Sequence, residues 1–333
     1  MGHYMPGCTT RMRGEFLQEL IHPDSFEVID IDKPISKTFP LFRPLGWRFK
    51  IGPLVSEINK YLKESIGSND RYDLVWIDKG VFIDPVILRR LKRNDNILVH
   101  FTPDTAFLHN QSKLFYDALP VYDYCITTKS FERNLYQNHG VRHLLFCTQG
   151  FDPRLHHSYH EYSQKDGIAF IGKHDSWREK IISTLLDEDL DIKLAGADWK
   201  HFATKNRHRS NLKFYGEGLF GEDYAKLVSG SLIGLGLLAK KFPEKHTTRS
   251  FEIPACGTAM ATERNDEMES FYKEDEVIFF SRPSELVDKI KMALADPTSL
   301  QGMSRRGQHA AVSGGYDYRS ILHGLLGQMN LTG

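Results

Sequence analysis

The chain has 333 residues, of which 41% are hydrophobic and 26% charged, and its 43 basic and 43 acidic residues leave no formal net charge. These values are typical of a globular protein with two domains, and the balanced charge argues against a nucleic-acid-binding protein. The longest apolar run, residues 232–239, is much shorter than the ~18–20 residues of a membrane-spanning helix.

The chain opens on GHYMPGCTTRMRGEFLQEL, which has the pattern of a loop followed by a helix. A domain of alternating strands and helices should begin with a strand. The first strand is therefore either missing, very short or upstream of Met1. Thr10 and Arg11 in this loop are candidates for contact with an acceptor substrate.

Strand-length apolar runs then alternate with helix-period segments over the first half of the chain. The expected strands are residues 26–31, 73–77, 97–101, 124–127 and 143–147, and an amphipathic helix over 131–139 ends before Gly140. The runs are nearly continuous and not alternating, which is typical of strands buried on both faces of a parallel sheet. We expect residues 1–150 to form a doubly wound α/β domain.

Polar residues follow two of these strands, where catalytic groups collect in parallel sheets. HFTPDTAF places His100 and Asp104 at the end of one strand, and Thr128 and Lys129 end the next. Asp104 is a candidate general base, with His100 as a second catalytic candidate. Pro103 and Asp104 are also an ordinary start of a turn, so a structural role remains the alternative.

Residues 151–166, FDPRLHHSYHEYSQKD, show neither the periodicity of a helix nor that of a strand, and we interpret them as a linker between two domains. His156, His157 and His160 stand close together in this segment. No carboxylate or cysteine stands at ligand spacing, so we expect no metal site.

The second half repeats the alternation of strands and helices. Expected strands are residues 168–172, 192–195, 212–215, 232–238, 258–261 and 277–280, with helices over 177–187 and 284–295. We expect a second Rossmann-like domain over 167–314 and a C-terminal helix within 315–333. Two such domains would face each other across a cleft, where ligands bind.

Two loops of the second half combine glycines with charged residues. Gly172, Lys173 and Arg178 follow the first strand, which suits a tight turn with cations at the start of a helix. Gly216 and Glu217 follow the third strand, where a glycine permits close approach of a nucleotide base. A plain basic patch and a plain turn are the alternatives.

The most informative stretch is FPEKHTTRSFEIPACGTAMAT, residues 242–262. It reads as a loop that leads into a helix N-terminus, which would offer free backbone N–H groups to an anion. Arg249 adds a planar charge suited to phosphate, and Thr247, Thr248 and His246 lie beside it. Pro254 requires the helix to start near Ser250 or to bend.

HTTRSFEIPACG, VIFFSRPSELVDKI and SRRGQHAAVSGGYDYRSIL resemble the C-terminal domain of the spore-maturation-protein-like glycosyltransferases, which are GT-B enzymes. The resemblance covers residues 165–325 and, more faintly, 70–160. It implies a GT-B fold of two Rossmann-like domains facing across a cleft, with the last helix crossing back to the first domain. It also implies that Arg249, Lys173 and Arg178 contact the diphosphate of a donor.

The spacing of Glu244 and Glu252, with seven residues between them, also matches retaining GT-B transferases. The resemblance assigns Glu252 to the ribose hydroxyls and Glu244 to the donor sugar. It predicts a metal-independent glycosyltransferase of hexosyl or N-acetylhexosaminyl type, active in polysaccharide biosynthesis. The expected co-substrate is a nucleotide diphosphate-sugar, with a UDP-sugar preferred, and the acceptor is a hydroxyl of a glycan, glycolipid, protein or small molecule.

Two alternatives stay open at this point. A nucleotide-sugar epimerase can have the same two-domain architecture, although no set of acid and base residues for it stands out. A nucleotide-sugar-binding protein without catalytic activity is the second alternative.

The four cysteines, Cys8, Cys125, Cys147 and Cys256, are scattered without a CxxC pair. This pattern favours free thiols in a reducing compartment and neither a zinc site nor a disulfide framework. With no charged-then-apolar leader in the chain, we expect a cytoplasmic protein without a permanently bound cofactor. Peripheral contact with an acceptor at the inner membrane face is compatible with these features.

Overall fold

The computed structural model of the chain describes residues 1–67, 71–108 and 110–331, and it divides into two compact units. The first unit comprises Met1–Thr148 and Leu322–Gly333, and the second comprises Gln149–Ile321. Among the helices of the described residues, none has the length and apolar content that crossing a membrane requires.

The first unit is a parallel sheet with helices on its connections. Its helices are α1 (Thr9–Ile21), α2 (Asp32–Lys37), α3 (Phe42–Phe49), α4 (Pro53–Ser65), α5 (Pro85–Leu91), α6 (Lys113–Ala118) and α7 (Arg133–Asn138). Its strands are β1 (Leu74–Asp78), β2 (Ile97–Thr102), β3 (Tyr124–Thr127) and β4 (His143–Phe146), in the order β1-β2-β3-β4. Leu74 lies opposite Ile97 and Val99 opposite Tyr124, so the polar residues that follow β1, β2 and β3 lie at one edge of the sheet.

The prediction of a strand over residues 26–31 is wrong. Within the described chain, only the single bridge between Gly2 and Asp30 forms there, with the Gly2 amide donating to Ile29 and the Ile31 amide donating to Gly2. Phe26 and Val28 are exposed. The reason is the lack of a neighbouring strand, because in the described part of the chain only the Gly2 backbone pairs with this segment, whereas Met1 pairs with Trp76 and Asp78 of β1.

The second unit contains six parallel strands, β5 (Ile168–Ile171), β6 (Ile192–Ala195), β7 (Leu212–Phe214), β8 (Ile233–Gly236), β9 (Ala259–Glu263) and β10 (Ile278–Phe280). Its helices are α8 (Ser176–Asp187), α9 (Lys200–Lys205), α10 (Gly221–Ser229), α11 (Arg249–Ala255), α12 (Asp266–Phe271), α13 (Pro283–Ala295) and α14 (Pro297–Ser313). Helix α15 (Tyr318–Gln328) begins in this unit, and its residues from Leu322 onward belong to the first. Every residue of β5 and β9 is buried, as the continuous apolar runs predict.

The strand order of this sheet is β10-β9-β8-β5-β6-β7. The chain builds β5, β6 and β7 outward in one direction and then returns to add β8, β9 and β10 on the other side. The order therefore reverses between β5 and β8. In open parallel sheets the carboxyl ends of the strands at such a reversal form a binding crevice.

Residues 151–166, expected to be a linker, lie within the second unit and are packed onto it. Phe151 forms a bridge with Asp317, and the amides of Tyr159 and His160 donate to the Ser229 hydroxyl. Asp152 and His156 are buried. The segment looks like a linker in sequence because its packing uses hydrogen-bonded polar groups, which leave no apolar periodicity.

Candidate functional site

The candidate site lies in the second unit where the strand order reverses. The loop after β5 carries Gly172 and Lys173 and leads into α8, whose N-cap Asp175 accepts a hydrogen bond from the Arg178 amide at 2.9 Å. Lys173 is exposed and pairs with Asp198 at 3.3 Å. The cap fixes the first turn of α8 and so directs the Arg178 side chain.

Arg178 joins the two loops that border the reversal. Its guanidinium donates to the carbonyl of Lys173, after β5, at 3.0 Å and to the carbonyl of Leu237, after β8, at 3.1 Å. The side chain is buried. A guanidinium in this place fixes the distance between the two strand ends.

Arg249 donates to the same Leu237 carbonyl, at 3.2 Å. Both guanidinium groups also lie near the Phe170 ring, with 5.8 Å and 5.9 Å between the central carbon and the ring centroid. Burial, and then the charge of Arg249, lowers the pKa of Arg178 from its ordinary value to about 10, an effect that Asp175 and Glu244 partly offset. Two like charges on one acceptor make a centre of positive potential that an anion would stabilise.

Gly172 leaves room for this pair of arginines. A methyl group on its α-carbon would lie 3.3 Å from a terminal nitrogen of Arg249. Gly196, after β6, has φ +134°, and a Cβ there would lie 2.1 Å from the Gly172 carbonyl oxygen. These strand ends therefore approach each other as closely as they do only because both residues are glycines.

Helix α11 begins at Arg249, with Thr248 as its N-cap and no side chain capping it. The Thr247 hydroxyl is buried and has no hydrogen-bond partner in the described part of the chain. Because α11 has only seven residues, its dipole is a smaller source of positive potential than the two guanidinium groups.

Pro254 lies inside α11 and cannot donate to the Ser250 carbonyl one turn earlier. The Tyr272 hydroxyl donates to that carbonyl at 2.8 Å. The structure thus keeps the helix start expected from the sequence and supplies the missing hydrogen bond from another element.

Glu252 is buried, one turn after the start of α11. One carboxylate oxygen accepts from the Tyr224 hydroxyl at 2.8 Å, and the other lies 3.8 Å from Nε2 of His156. His156 is itself oriented, because its Nδ1 accepts from the Asp152 amide at 3.0 Å. Burial and the charge of Glu252 raise the pKa of Tyr224 well above its ordinary value, so the phenol stays protonated and donates.

Glu244 is half-buried, and its negative charge acts to raise the pKa of Arg178. Gly216 has φ +101° with open space beside its α-carbon, and Glu217 is exposed. The charge of Glu244 therefore acts on the arginine pair, whereas Glu217, a predicted contact residue, makes no contact with either arginine in the described part of the chain.

His246 differs from the expectation of a donor-binding residue. It is buried; its Nε2 accepts from the Gln149 amide at 3.1 Å, and its Nδ1 lies 2.6 Å from the Glu267 carboxylate. Both ring nitrogens are therefore occupied by protein groups. We interpret His246 as a residue that anchors the loop before α11.

Glu263 is a residue that the sequence interpretation missed. It ends β9 and accepts from the Leu238 amide at 2.8 Å, from the Trp177 indole at 3.1 Å and from the Lys240 ammonium at 3.2 Å. It thus holds the loop whose Leu237 carbonyl receives both arginines. A carboxylate at the end of a buried strand is the sequence signal that would have identified it.

In the first unit, His100 is wrong as a catalytic candidate. The ring is fully buried among aromatic side chains, with centroids 5.4 Å from Phe115 and 5.1 Å from Tyr122, and Nε2 contacts the Lys79 carbonyl at 3.0 Å. Burial lowers the pKa of His100 from 6.5 to about 4. The imidazole is therefore a neutral part of the core at neutral pH and cannot reach a substrate.

Asp104 is partly exposed and pairs with Lys79 at 2.6 Å. Burial acts to raise the pKa of Asp104, but the ammonium groups of Lys79 and Lys129 outweigh it, so the pKa lies below its ordinary value. A carboxylate of this kind is a weak base. Thr128 and Lys129 are buried at the end of β3, and Thr10 lies against Asp78 at 3.3 Å.

No group of three or more His, Cys, Asp or Glu side chains suited to a metal ion occurs in residues 1–67, 71–108 and 110–331. His156 is engaged with Asp152, and His157 stacks on Tyr159 with ring centroids 4.2 Å apart. All four cysteines are free thiols.

Residues 177–327 match a family model described as glycosyl transferase-like. Among solved structures, Alr3699/HepE from Anabaena in complex with UDP has 14% identity and a TM-score of 0.63, over 99% of this chain and 98% of that one. Sucrose-phosphate synthase from Thermosynechococcus elongatus has 13% identity and a TM-score of 0.63, over 85% and 82%. Trehalose 6-phosphate synthase from Burkholderia multivorans has 10% identity and a TM-score of 0.60, over 90% and 79%.

None of the curated proteins matches this chain. At identities of 10–14% the structural likenesses establish the fold, which is GT-B. The fold class expected from the sequence is confirmed.

Proposed function

We propose that this protein is a glycosyltransferase that uses a nucleotide diphosphate-sugar, because residues 177–327 match a family model described as glycosyl transferase-like and the chain has the GT-B fold. The observation that carries the proposal is the pair Arg178 and Arg249, both bound to the Leu237 carbonyl where the strand order reverses. Two fixed cations at this place suit a diphosphate, whose charge increases as the bond to the sugar breaks.

Glu252 suits the ribose of the donor. Its carboxylate is held by Tyr224 on one oxygen, while the other oxygen keeps lone pairs for a hydroxyl. Glu244, half-buried and within the field of Arg178, is proposed to contact the sugar. Thr247 offers a hydroxyl that has no partner among the described residues, and Thr248 offers a helix start without a side-chain cap there, to the phosphate oxygens.

A UDP-sugar is the preferred donor. Alr3699/HepE, which has the same fold, was crystallised with UDP and with UDP-glucose. Lys173, exposed beside Gly172, is proposed as an additional contact to the diphosphate. The narrower assignments, to the spore-maturation-protein-like subfamily and to a hexosyl or N-acetylhexosaminyl donor, are part of the same proposal.

The first unit is proposed to offer the acceptor hydroxyl. Asp104 and Lys79 are a partly exposed charged pair at the carboxyl edge of its sheet. The lowered pKa of Asp104 favours a role in orienting a hydroxyl over a role as a strong base.

The transfer is proposed to need no metal ion, since guanidinium groups supply the charge that neutralises the leaving diphosphate. Activity should therefore be unchanged by EDTA. A loss of activity in EDTA that Mg²⁺ or Mn²⁺ restores would contradict this part of the proposal.

The test combines binding with turnover. A thermal-shift series with UDP, GDP, ADP, CMP and TDP should raise the melting temperature most with one diphosphate, expected to be UDP. Incubation with the matching sugar nucleotides should then release nucleoside diphosphate. An altered sugar without release would identify an epimerase, and stabilisation with neither reaction would identify a binding protein.

A further inference from the structure

Seven large apolar side chains are exposed within thirteen residues of the first unit. They lie on and around helix α3 and form what we call the α3 patch: Phe39, Leu41, Phe42, Leu45, Trp47, Phe49 and Ile51. Phe39, Leu41 and Ile51 are each at least 65% exposed. A patch of this density is uncommon on a surface that faces only water and marks a site of interaction.

The helix presents this face because its other side is packed. Gly46 lies so close to α4 that a Cβ there would be 2.5 Å from the Cβ of Leu54. Leu45 and Phe49, one turn apart, therefore point away from the unit. Trp47 is partly covered by the Phe82 ring, with 4.8 Å between centroids. The helical part of the patch is thus the side of α3 that faces away from α4.

The charge around the α3 patch has one sign. From Lys33 to Ser56 the chain contains five cations, Lys33, Lys37, Arg43, Arg48 and Lys50, and no acidic residue. This is a local excess in a chain whose net charge is zero. Arg43 and Lys50 donate to backbone carbonyls, whereas Lys33, Lys37 and Arg48 are exposed and form no ion pair with a described carboxylate.

We propose that the α3 patch docks the protein on an anionic lipid surface. Apolar side chains on one face of a helix, with cations at its border, are the arrangement that lies in the interface of a membrane. A protein partner with an apolar surface would match the apolar side chains but not the three exposed cations Lys33, Lys37 and Arg48. A lipid surface with negatively charged headgroups matches both the apolar side chains and the cations.

The experiment is flotation of the full chain with vesicles of phosphatidylcholine, with and without phosphatidylglycerol. The protein should float with the anionic vesicles and remain free with neutral ones. Binding should weaken as salt is raised, because the attraction between the cations and the headgroups is screened. Absence of binding to anionic vesicles at low salt, or equal binding to both vesicles, would overturn the proposal.

Two sets of variants separate the apolar and ionic contributions. Leu45→Ser with Phe49→Ser should reduce the partition onto anionic vesicles by about tenfold or more, and Lys37→Gln with Arg48→Gln by about fivefold for each cation removed. The matched controls are Met292→Ser with Val312→Ser, exposed on the second unit, and Arg89→Gln with Arg90→Gln, exposed on α5. Unchanged binding of the patch variants, or equal losses in the controls, would contradict the assignment.

Sedimentation of the same proteins without lipid tests a second copy of the chain as the occupant. A wild-type dimer that becomes a monomer in Leu45→Ser with Phe49→Ser would overturn the lipid proposal. A monomer in both cases agrees with it. The vesicle assay contains no sugar nucleotide, so its outcome does not depend on the proposed transferase activity.

Discussion

Arg178 and Arg249 show how a single carbonyl can organise a charged site. Each guanidinium donates to Leu237, so two cations are held together that would separate in water. Glu263 in turn holds the amide of Leu238, next to that carbonyl. An anion bound between the arginines would relieve their repulsion, which makes the site better suited to a diphosphate than to a neutral sugar.

Arg249→Ala should weaken binding of UDP by about 1.5–3 kcal/mol, the range for a hydrogen bond to a charged group. Titration calorimetry measures the change. Arg305→Ala, an exposed arginine of the same unit, is the matched control and should bind as the wild type does. If both variants bind UDP equally well, Arg249 does not contact the ligand.

Tyr224→Phe should reduce the preference for a ribose over a dideoxyribose, because the Tyr224 hydroxyl fixes the Glu252 carboxylate. We expect a loss of about 0.5–1.5 kcal/mol of that preference, the net value of one hydrogen bond. The measurement compares UDP with 2′,3′-dideoxy-UDP in wild type and variant. An equal loss for both ligands would show a structural effect only.

His100 makes the stability of the protein depend on pH. Its pKa is about 4 in the folded protein, against 6.5 when unperturbed, so the unfolded chain binds more protons between these values. The contribution of His100 to the free energy of unfolding is fully present above about pH 6.5. Protonation of His100 in the unfolded chain lowers the free energy of unfolding by about 3 kcal/mol as the pH falls toward 4. Urea unfolding of His100→Leu should show a shallower decline over this range than the wild type.

At the scale of elements, the buried strands were the part of the fold that the sequence determines best. Ten of the eleven expected strands form, because continuous apolar runs such as that of β5 have no other stable location. Residues 26–31 do not form a strand because a strand also needs a neighbouring strand, and among the described residues only Gly2 pairs with this segment through its backbone. Residues 151–166 resemble a linker in sequence because their hydrogen-bonded polar contacts with the second unit leave no periodic signal.

The sequence marks Gly172, Arg178 and Arg249 by glycine and charge in loops, and the structure places these three residues close together. The candidate site was not predictable where a role depends on contacts distant in sequence. His246 resembles a ligand contact in the sequence, but in the structure Gln149 and Glu267 contact both of its ring nitrogens. The burial of His100 likewise depends on Phe115 and Tyr122, which the sequence does not place beside it.

Tyr272→Phe should destabilise the protein by about 1–3 kcal/mol, since it leaves the buried Ser250 carbonyl without a donor. Pro254→Ala would restore an amide one turn after Ser250. In the double variant, therefore, the loss caused by Tyr272→Phe should be smaller than in the wild-type background. Additive effects in a denaturant series would contradict the compensation between Pro254 and Tyr272.

At the scale of the whole molecule, the two units have distinct chemical characters. The second contains the paired arginines at a reversal of strand order, and the first contains the α3 patch and its cations. The proposed donor contacts are thus confined to one unit, and the proposed lipid contacts to the other.

Hydrogen exchange with and without UDP should show this division. The loops at residues 172–178, 237–240 and 246–252 should become protected, because the ligand orders the backbone around the arginines. The α3 patch should show no change with UDP and should become protected on anionic vesicles. Protection by UDP that is limited to the first unit would exclude the arginine pair as its site.

The shared acceptor of Arg178 and Arg249 has a kinetic consequence. The backbone holds both guanidinium groups in place whichever nucleotide is bound. A free nucleoside diphosphate is more negative than the same nucleotide esterified to a sugar, so these fixed cations attract it more strongly. The free nucleoside diphosphate should therefore dissociate more slowly than the nucleotide diphosphate-sugar. If the protein is the proposed glycosyltransferase, release of the nucleoside diphosphate would limit its turnover, and added nucleoside diphosphate would inhibit it by competition.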